Sequence, residues 1–374
     1  MTNFLNTIKQ RIRELSPYTL KRAEARIKLN QNENPWDAPL KIKEETLRRL
    51  QQRLWSRYPD FVPDRLHQRL AEHSGWTADG IIAGNGSNEL IQAALMVTLA
   101  EGRRVLISEP TFALYRQIST VLGAEVISVP LNSELGFDLP ALKSGIELSK
   151  PDVVIICSPN NPTGCVMSHS DLVSILKATS GLVVVDEAYF EFSDQTAVPL
   201  LEQHKNLIVL RTFSKAMAMA ALRVGYLLAA PGLVREISKS LLPYNLNVFS
   251  QTAAEVAIEM YRTELTPLID LIRAERDRLW AELGRIPGLT PIPSRANFML
   301  VRSAVPPTQI YEELLRREIL IRNVSSYPLL QDCFRISVGT PAENDFLIST
   351  LYEIFEVPRQ GKRDAALVLM RDKL

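Results

Sequence analysis

The chain has 374 residues, of which 46% are hydrophobic and 23% charged, an ordinary balance for a globular protein with room for two domains. Its 43 basic and 42 acidic residues leave a net charge of +1, which argues against nucleic acid or a bulk acidic partner. Cys157, Cys165 and Cys333 lack CxxC spacing, and His67, His73, His169 and His204 lack ligand spacing, so neither a disulfide framework nor a metal site is indicated.

Residues 1–30 are polar and basic and read as an N-terminal arm. Their start lacks the apolar core of a signal peptide, and no stretch is long and apolar enough to span a bilayer. The expectation is a cytoplasmic protein without a membrane partner. Asn30-Gln-Asn-Glu-Asn-Pro35 is turn-rich. Lys41–Trp55 reads as a helix from Ile42, Leu47, Leu50 and Leu54, and Asp64–His73 as another from Leu66 and Leu70. Between them lies Arg57-Tyr-Pro-Asp60. Gly84-Asn-Gly-Ser-Asn-Glu-Leu90 opens a helix that Ser87 or Asn88 can cap. Free N–H groups at such a start suit an anion, and the glycines allow close approach. A plain capped core helix explains the same residues. A dinucleotide fingerprint fits poorly, because Glu89 stands where a third glycine belongs.

From Arg104 onward strands and helices alternate. Strands are expected at Arg104–Ser108, Val126–Val129, Val153–Cys157, Leu182–Asp186, Leu207–Leu210 and Val224–Ala229. A helix opens at Pro110–Tyr115. Near-continuous apolar runs mark strands covered on both faces, so an α/β fold with a mostly parallel sheet is expected. Polar residues cluster just after these strands, where ligands of open α/β sheets bind. A long charged helical stretch follows at Thr252–Leu283, with a break expected at Pro267. Gly288–Val301, Ile319–Arg322 and Phe334–Val338 have strand character, and Thr308–Glu318 and Asp345–Phe355 read as helices. The expected division is an arm (1–30), a large α/β domain (31–270), a smaller α+β domain (271–357) and a tail (358–374).

Arg211-Thr-Phe-Ser-Lys215 follows the strand at Leu207–Leu210, and Ala216, Ala218, Ala220 and Ala221 come after it. A lysine placed there loses solvent. Desolvation lowers its pKa and frees the amine to attack a carbonyl, as in a Schiff base with pyridoxal 5′-phosphate. A lone lysine is otherwise a solvated surface charge. Asp186 ends a buried strand, where a carboxylate is costly unless paired. A protonated pyridine nitrogen would pair with it and keep the ring electron-withdrawing. Capping the next segment is the plainer role. A nucleotide-triphosphatase carboxylate is excluded by the absence of a phosphate loop. Asn161, in Asn160-Asn161-Pro162-Thr163-Gly164, and Tyr189 are suited to a ring's phenolic oxygen, although a turn explains much of the former. Phe112 is suited to stacking or to plain core packing. Arg223 and Ser214 are suited to a phosphate. Arg335, between Phe334 and Ile336, is suited to a bidentate carboxylate contact, or else faces water on an edge strand.

Ser158-Pro-Asn-Asn-Pro-Thr-Gly164, Asp186-Glu-Ala-Tyr189, Thr212-Phe-Ser-Lys215, Arg223-x-Gly225 and Phe334-Arg-Ile-Ser-Val-Gly339 occur in an order that resembles the fold-type-I pyridoxal-phosphate-dependent aminotransferases. The likeness runs from about Asn30 to Phe355. Asn32-Glu-Asn-Pro35, Arg57-Tyr-Pro-Asp60, Gly84-Asn-Gly86, Pro110-Thr-Phe112 and Ile321-Arg-Asn323 look most like the histidinol-phosphate aminotransferases among them. The resemblance implies Lys215 as the Schiff-base lysine and Asp186 at the pyridine nitrogen. It implies Asn161 and Tyr189 at the phenolic oxygen and Phe112 on the ring face. It puts Ser87, Asn88, Ser214 and Arg223 at the phosphate. Tyr58 would reach a neighbouring subunit's site, so a homodimer is implied. Arg335 would hold the carboxylate of glutamate or 2-oxoglutarate, the amino donor and 2-oxo acid acceptor. Arg322 and Tyr18 would meet the substrate's own phosphate. The implied activity is transamination in histidine biosynthesis. Alternatives are an aromatic amino acid aminotransferase, a phosphothreonine decarboxylase of the same fold, or an aminotransferase-like regulator module. One departure is Ala220-Ala221 where relatives usually carry Ala-Gly, and strain at Ala221 is expected if that glycine has a positive φ.

Overall fold

A computed structural model describes residues 4–17 and 23–357. Tyr18 and the tail at 358–374 lie outside the described residues. Among the described residues, thirteen strands follow in chain order. They are β1 (Ile27–Lys28), β2 (Ile81–Gly84), β3 (Arg104–Glu109), β4 (Glu125–Pro130), β5 (Val153–Cys157), β6 (Leu182–Asp186), β7 (Leu207–Thr212) and β8 (Gly225–Ala229), then β9 (Leu289–Pro291), β10 (Phe298–Ser303), β11 (Ile319–Leu320), β12 (Arg322–Asn323) and β13 (Cys333–Ser337).

Seven strands form one sheet in the order β2-β8-β7-β6-β5-β3-β4. The neighbours from β7 to β4 run parallel, whereas β8 runs antiparallel to both β2 and β7. Side chains alternate between the faces of a strand. Leu207 and Val209 of β7 therefore enter one core with Val154, Val183 and Val185. Ile208 and Leu210 enter the opposite core with Val105, Ile155 and Val184. Burial on both faces is why these strands read as unbroken apolar runs. The register aligns the carboxyl ends of β5 and β6, with Cys157 beside Asp186, and sets Thr212 at the end of β7 beside Gly225, the first residue of antiparallel β8. Functional side chains from separate chain segments thus meet at one edge of the sheet.

A second sheet, β12-β13-β10-β9, is antiparallel and covers a separate core that includes Met299, Phe334, Ile336 and Leu347. Ile27 and Leu29 join this core, and β1 pairs in parallel with β11. The arm is therefore divided. Its earlier helix Gln10–Arg13 lies near the large sheet, where Arg11 meets Glu101 at 3.3 Å.

Several elements depart from the sequence reading. The helix from Leu40 ends at Leu50 and buries Ile42, Thr46 and Leu50, a stripe at i, i+4, while Leu47 and Leu54 face outward. The long helical stretch breaks ahead of Pro267. A π-helical turn at Tyr261–Leu265 separates Val248–Glu259 from Thr266–Leu283. Pro267 sits in the first turn of the second helix, where its missing N–H has no partner to lose. That second helix buries Ile269 and Ile272 beside Tyr189 and Phe192, and Leu279 and Leu283 in the core of the small sheet. It therefore spans the two cores. The stretch at 288–301 is two antiparallel strands, and Ile319–Arg322 is shared between β11 and β12.

Candidate active site

Lys215 lies three residues beyond β7, in the turn that leaves the sheet. It is half-buried, and its Nζ donates to the Gln31 carbonyl at 2.9 Å. The polar segment around Gln31 crosses this region as a strap, with Asn34 Nδ2 donating to Ala216 O at 3.1 Å. Burial pushes the Lys215 pKa down to about 8, with the positive charge of Arg335 acting in the same direction. An ammonium loses more than a neutral amine when water is removed, which is the expected sign.

Lys215 lines a cavity of about 530 Å³ that also takes in Asp186, Tyr189, Asn161 and Phe112. Asp186 is 3% exposed. One oxygen accepts from the Tyr115 hydroxyl at 2.6 Å and the other from the Ala188 N–H at 3.0 Å. Both partners are neutral, and among the described residues no cationic side chain forms an ion pair with this carboxylate. Burial raises its pKa to about 6. Capping the following turn is thus one of its contacts but does not neutralise its charge. Tyr189 is buried, its hydroxyl accepts from Asn32 Nδ2 at 3.0 Å, and burial holds its pKa well above the usual phenol value. Phe112 meets Tyr115 edge-on, with ring centroids 5.5 Å apart.

An anion cradle occupies one side of the cavity. The helix Ser87–Met96 begins there, and its N-cap is Gly86 at φ 82°, with no side-chain cap from Ser87 or Asn88. Both of these residues line the cavity instead. A Cβ on Gly86 would stand 2.5 Å from Arg223 Nη2, and one on Gly225 would stand 2.3 Å from the Ser87 nitrogen. Two glycines therefore let a guanidinium and a helix start converge. Arg223 Nη1 donates to Ser214 Oγ at 3.1 Å and to Ala220 O at 3.0 Å. Among the described residues no carboxylate pairs with it. A phosphate dianion fits this donor set.

The strain expected at Ala221 is not found there, although unusual backbone lies nearby. Positive φ falls at Ala218 (55°) and Arg223 (54°), while Ala220–Leu222 forms a 3₁₀ turn. The alanine in place of a glycine is therefore unstrained.

Arg335 is not an edge-strand residue facing water. Its strand β13 lies between β12 and β10, and its side chain is buried. Nη1 donates to Asn161 Oδ1 at 2.5 Å and Nη2 to Asn30 O at 2.7 Å. With its oxygen taken, Asn161 has its amide N–H groups left for an acceptor. Arg322 lies directly across from Arg335 in the β12–β13 register, and both line the cavity. Like charges facing one another across a ladder repel, so an anion between them is favoured.

Ser87, Asn88, Phe112, Asn161, Asp186, Tyr189, Ser214, Lys215, Arg223, Arg322 and Arg335 thus share one cavity. Tyr58 does not line it. It is exposed and stacks on Tyr244 at 4.6 Å. The sequence reading missed Tyr115, although Phe112 and Tyr115 at i, i+3 were a usable signal. It also missed Asn32, which a turn-rich composition gives no reason to bury. Of the paired asparagines, Asn160 is structural. It accepts from Thr111 Oγ1 at 2.8 Å and donates to Pro110 O at 3.0 Å and to Thr163 Oγ1 at 2.9 Å.

The family profile described as aminotransferase class I and II matches residues 24–351. The chain belongs to this aminotransferase family. Among the curated relatives of this aminotransferase, the histidinol-phosphate aminotransferase of Chlorobaculum tepidum is 40% identical over 88% of the chain and 95% of its own length. The solved histidinol-phosphate aminotransferase of Sinorhizobium meliloti, in complex with pyridoxal-5′-phosphate, superposes with a TM-score of 0.83 at 25% identity, over 95% of this chain and 98% of its own. The L-threonine-O-3-phosphate decarboxylase of Porphyromonas gingivalis shares the fold, with a TM-score of 0.75 at 23% identity over 88% of this chain and 99% of its own.

The lowered pKa of Lys215 gives a direct test on this aminotransferase. A base with a depressed pKa is neutral above that value, so trapping of Lys215 by a small aldehyde under mild reductant should rise with pH and level off above about 8. Peptide mass spectrometry across pH measures this. A midpoint near the ordinary 10.5 would contradict the buried placement.

Proposed function

We propose that this chain is a pyridoxal 5′-phosphate-dependent aminotransferase acting on histidinol phosphate and 2-oxoglutarate, giving imidazole-acetol phosphate and glutamate in histidine biosynthesis. The observation that carries the reading is a lysine amine of lowered pKa in one cavity with a dry carboxylate and a phosphate-shaped cradle. The relatives of similar length that bear the histidinol-phosphate name support the substrate.

The bound cofactor supplies an electrophilic carbonyl carbon and a ring that accepts electrons from the substrate's α-carbon. Ser87, Asn88, Ser214 and Arg223 would hold its phosphate, and Phe112 would stack on its ring. The Asp186 carboxylate would face the pyridine nitrogen and supply the countercharge to its protonated form. Asn161 and Tyr189 would donate to the phenolic oxygen. Lys215 would hold the cofactor through its amine, which is nucleophilic in its neutral form. Free of the cofactor, the Lys215 amine would be the base that holds the proton of the substrate's α-carbon and gives it up again. Arg335 holds the α-carboxylate of glutamate or of 2-oxoglutarate. Arg322 meets a second anionic group such as the substrate phosphate, the role also expected of Tyr18. Donor and acceptor are bound in turn, so kinetics are ping-pong.

A homodimer and a cytoplasmic location belong to this reading, as does a division into a large domain at 31–270 and a smaller one at 271–357. Leu54, Trp55, Tyr58, Phe61 and Leu242 are exposed, and Tyr58 and Phe61 meet Tyr244 with ring centroids 4.6 and 5.5 Å apart. A second copy would cover them and bring Tyr58 to the neighbouring cavity.

Three measurements test these statements. With glutamate as donor, a screen of 2-oxo acids and imidazole-acetol phosphate should show amino transfer without release of carbon dioxide. In the same assay Arg335→Ala should raise the KM for glutamate by about 10- to 100-fold, the worth of a charge-assisted hydrogen-bonded pair. An unchanged KM would remove Arg335 from the site, and carbon dioxide release would favour the decarboxylase. Sedimentation equilibrium should give a dimer; a monomer at micromolar concentration would contradict the second copy.

A further inference from the structure

Asn32 is 1% exposed and sits at φ 54°, a left-handed conformation that asparagine tolerates better than most residues. Every polar group it owns is engaged. Its N–H donates to Ser337 Oγ at 2.8 Å, and its carbonyl accepts from Asn297 Nδ2 at 3.0 Å. Its side-chain oxygen accepts from Ser337 Oγ at 3.2 Å, and its side-chain nitrogen donates to the Tyr189 hydroxyl at 3.0 Å. Ser337 lies on β13 two residues beyond Arg335, and it is 2% exposed. A chain of hydrogen bonds therefore runs from the strand carrying Arg335, through the strap, to the tyrosine beside Asp186.

The direction of each bond in this chain is fixed. The Ser337 hydroxyl has one proton, and its oxygen already receives the Asn32 N–H. Among the described residues that proton has Asn32 Oδ1 as its acceptor. The amide oxygen is thereby turned toward Ser337 and the amide nitrogen toward Tyr189. Tyr189 then receives a hydrogen bond on its oxygen, and its own proton has no acceptor among the described residues. It is left facing the cavity that Tyr189 lines.

We propose that Asn32 is a positioning residue: oriented by Ser337, its amide occupies the Tyr189 oxygen and aims the Tyr189 proton into the cavity at the ring oxygen of the cofactor. This inference rests on the reading of the cavity as a pyridoxal phosphate site. The Tyr189 donor competes with the proton on the Lys215 nitrogen for that ring oxygen. A well-aimed donor therefore lets the Lys215 nitrogen lose its proton at lower pH. When the aim is lost, the proton stays on to higher pH.

The test is a pH titration of the visible absorbance of the protein loaded with pyridoxal phosphate. Asn32→Gly keeps the left-handed backbone and removes the amide. It should move the titration midpoint up by about half a unit to one unit, the scale of one ordinary hydrogen bond. Ser337→Ala does not line the cavity and should move it in the same direction by less. In a Tyr189→Phe background, Asn32→Gly should add no further shift, because the two act through one bond. Unshifted midpoints in both single variants, or a full Asn32→Gly shift that persists without the Tyr189 hydroxyl, would overturn the proposal. If Asn32→Gly fails to fold or load, Ser337→Ala decides by the same criterion. Failure of the wild-type protein to develop any visible band would instead refute the cofactor reading, so the two outcomes are distinguishable.

Discussion

A carboxylate held away from water with only neutral partners is the constraint on which this site depends. Asp186 ends a strand buried on both faces, and its two hydrogen bonds come from a phenol and a backbone amide. Such contacts orient the group without cancelling its charge. Burial consequently raises its pKa toward neutrality. A ligand that brings a protonated ring nitrogen supplies the missing countercharge, and the fold leaves space for one. Lys215 shows the complementary effect. Its amine loses solvent, sits near Arg335 and Arg223, and becomes easier to deprotonate. Acid and base are thereby brought closer in pKa by the same dry environment.

The remaining parts of the site extend from this centre toward each sheet. The large sheet contributes Asp186, Lys215, Ser214 and the helix start at Ser87, while the small sheet contributes Arg335 and Arg322. The segment Asn30–Asn34 joins them, because its carbonyls accept from Lys215 and from Arg335. Helix Thr266–Leu283 ties the same two bodies from behind, with Arg276 donating to Phe192 O at 2.9 Å and Arg273 to Glu191 O at 2.6 Å. Those carbonyls follow Tyr189 in the chain. The cavity's arginines and the residues around Asp186 are therefore held in one frame, although they come from separate cores.

Much of this was legible in the sequence. The buried strands announced themselves as apolar runs, and the polar clusters after them marked the carboxyl edge. Lys215, Asp186, Asn161 and Arg223 were readable because each breaks the local pattern of its segment. Arg335 was readable as a charge on an apolar strand, but its burial was not, since strand order is a long-range property. Asn32 was hidden for a related reason: its partners, Ser337 and Tyr189, are 305 and 157 residues away. The helix break before Pro267 was misplaced because proline tolerates a first turn as well as it ends a last one. Tyr58 gives no signal within a single chain, as its expected role belongs to a neighbouring copy.

The central claim is that one amine, that of Lys215, carries the cofactor. Borohydride reduction of the protein loaded with pyridoxal phosphate, followed by peptide mapping, tests it most directly. The account predicts one stoichiometric label, on Lys215. A label on another lysine, or none at all, would contradict it.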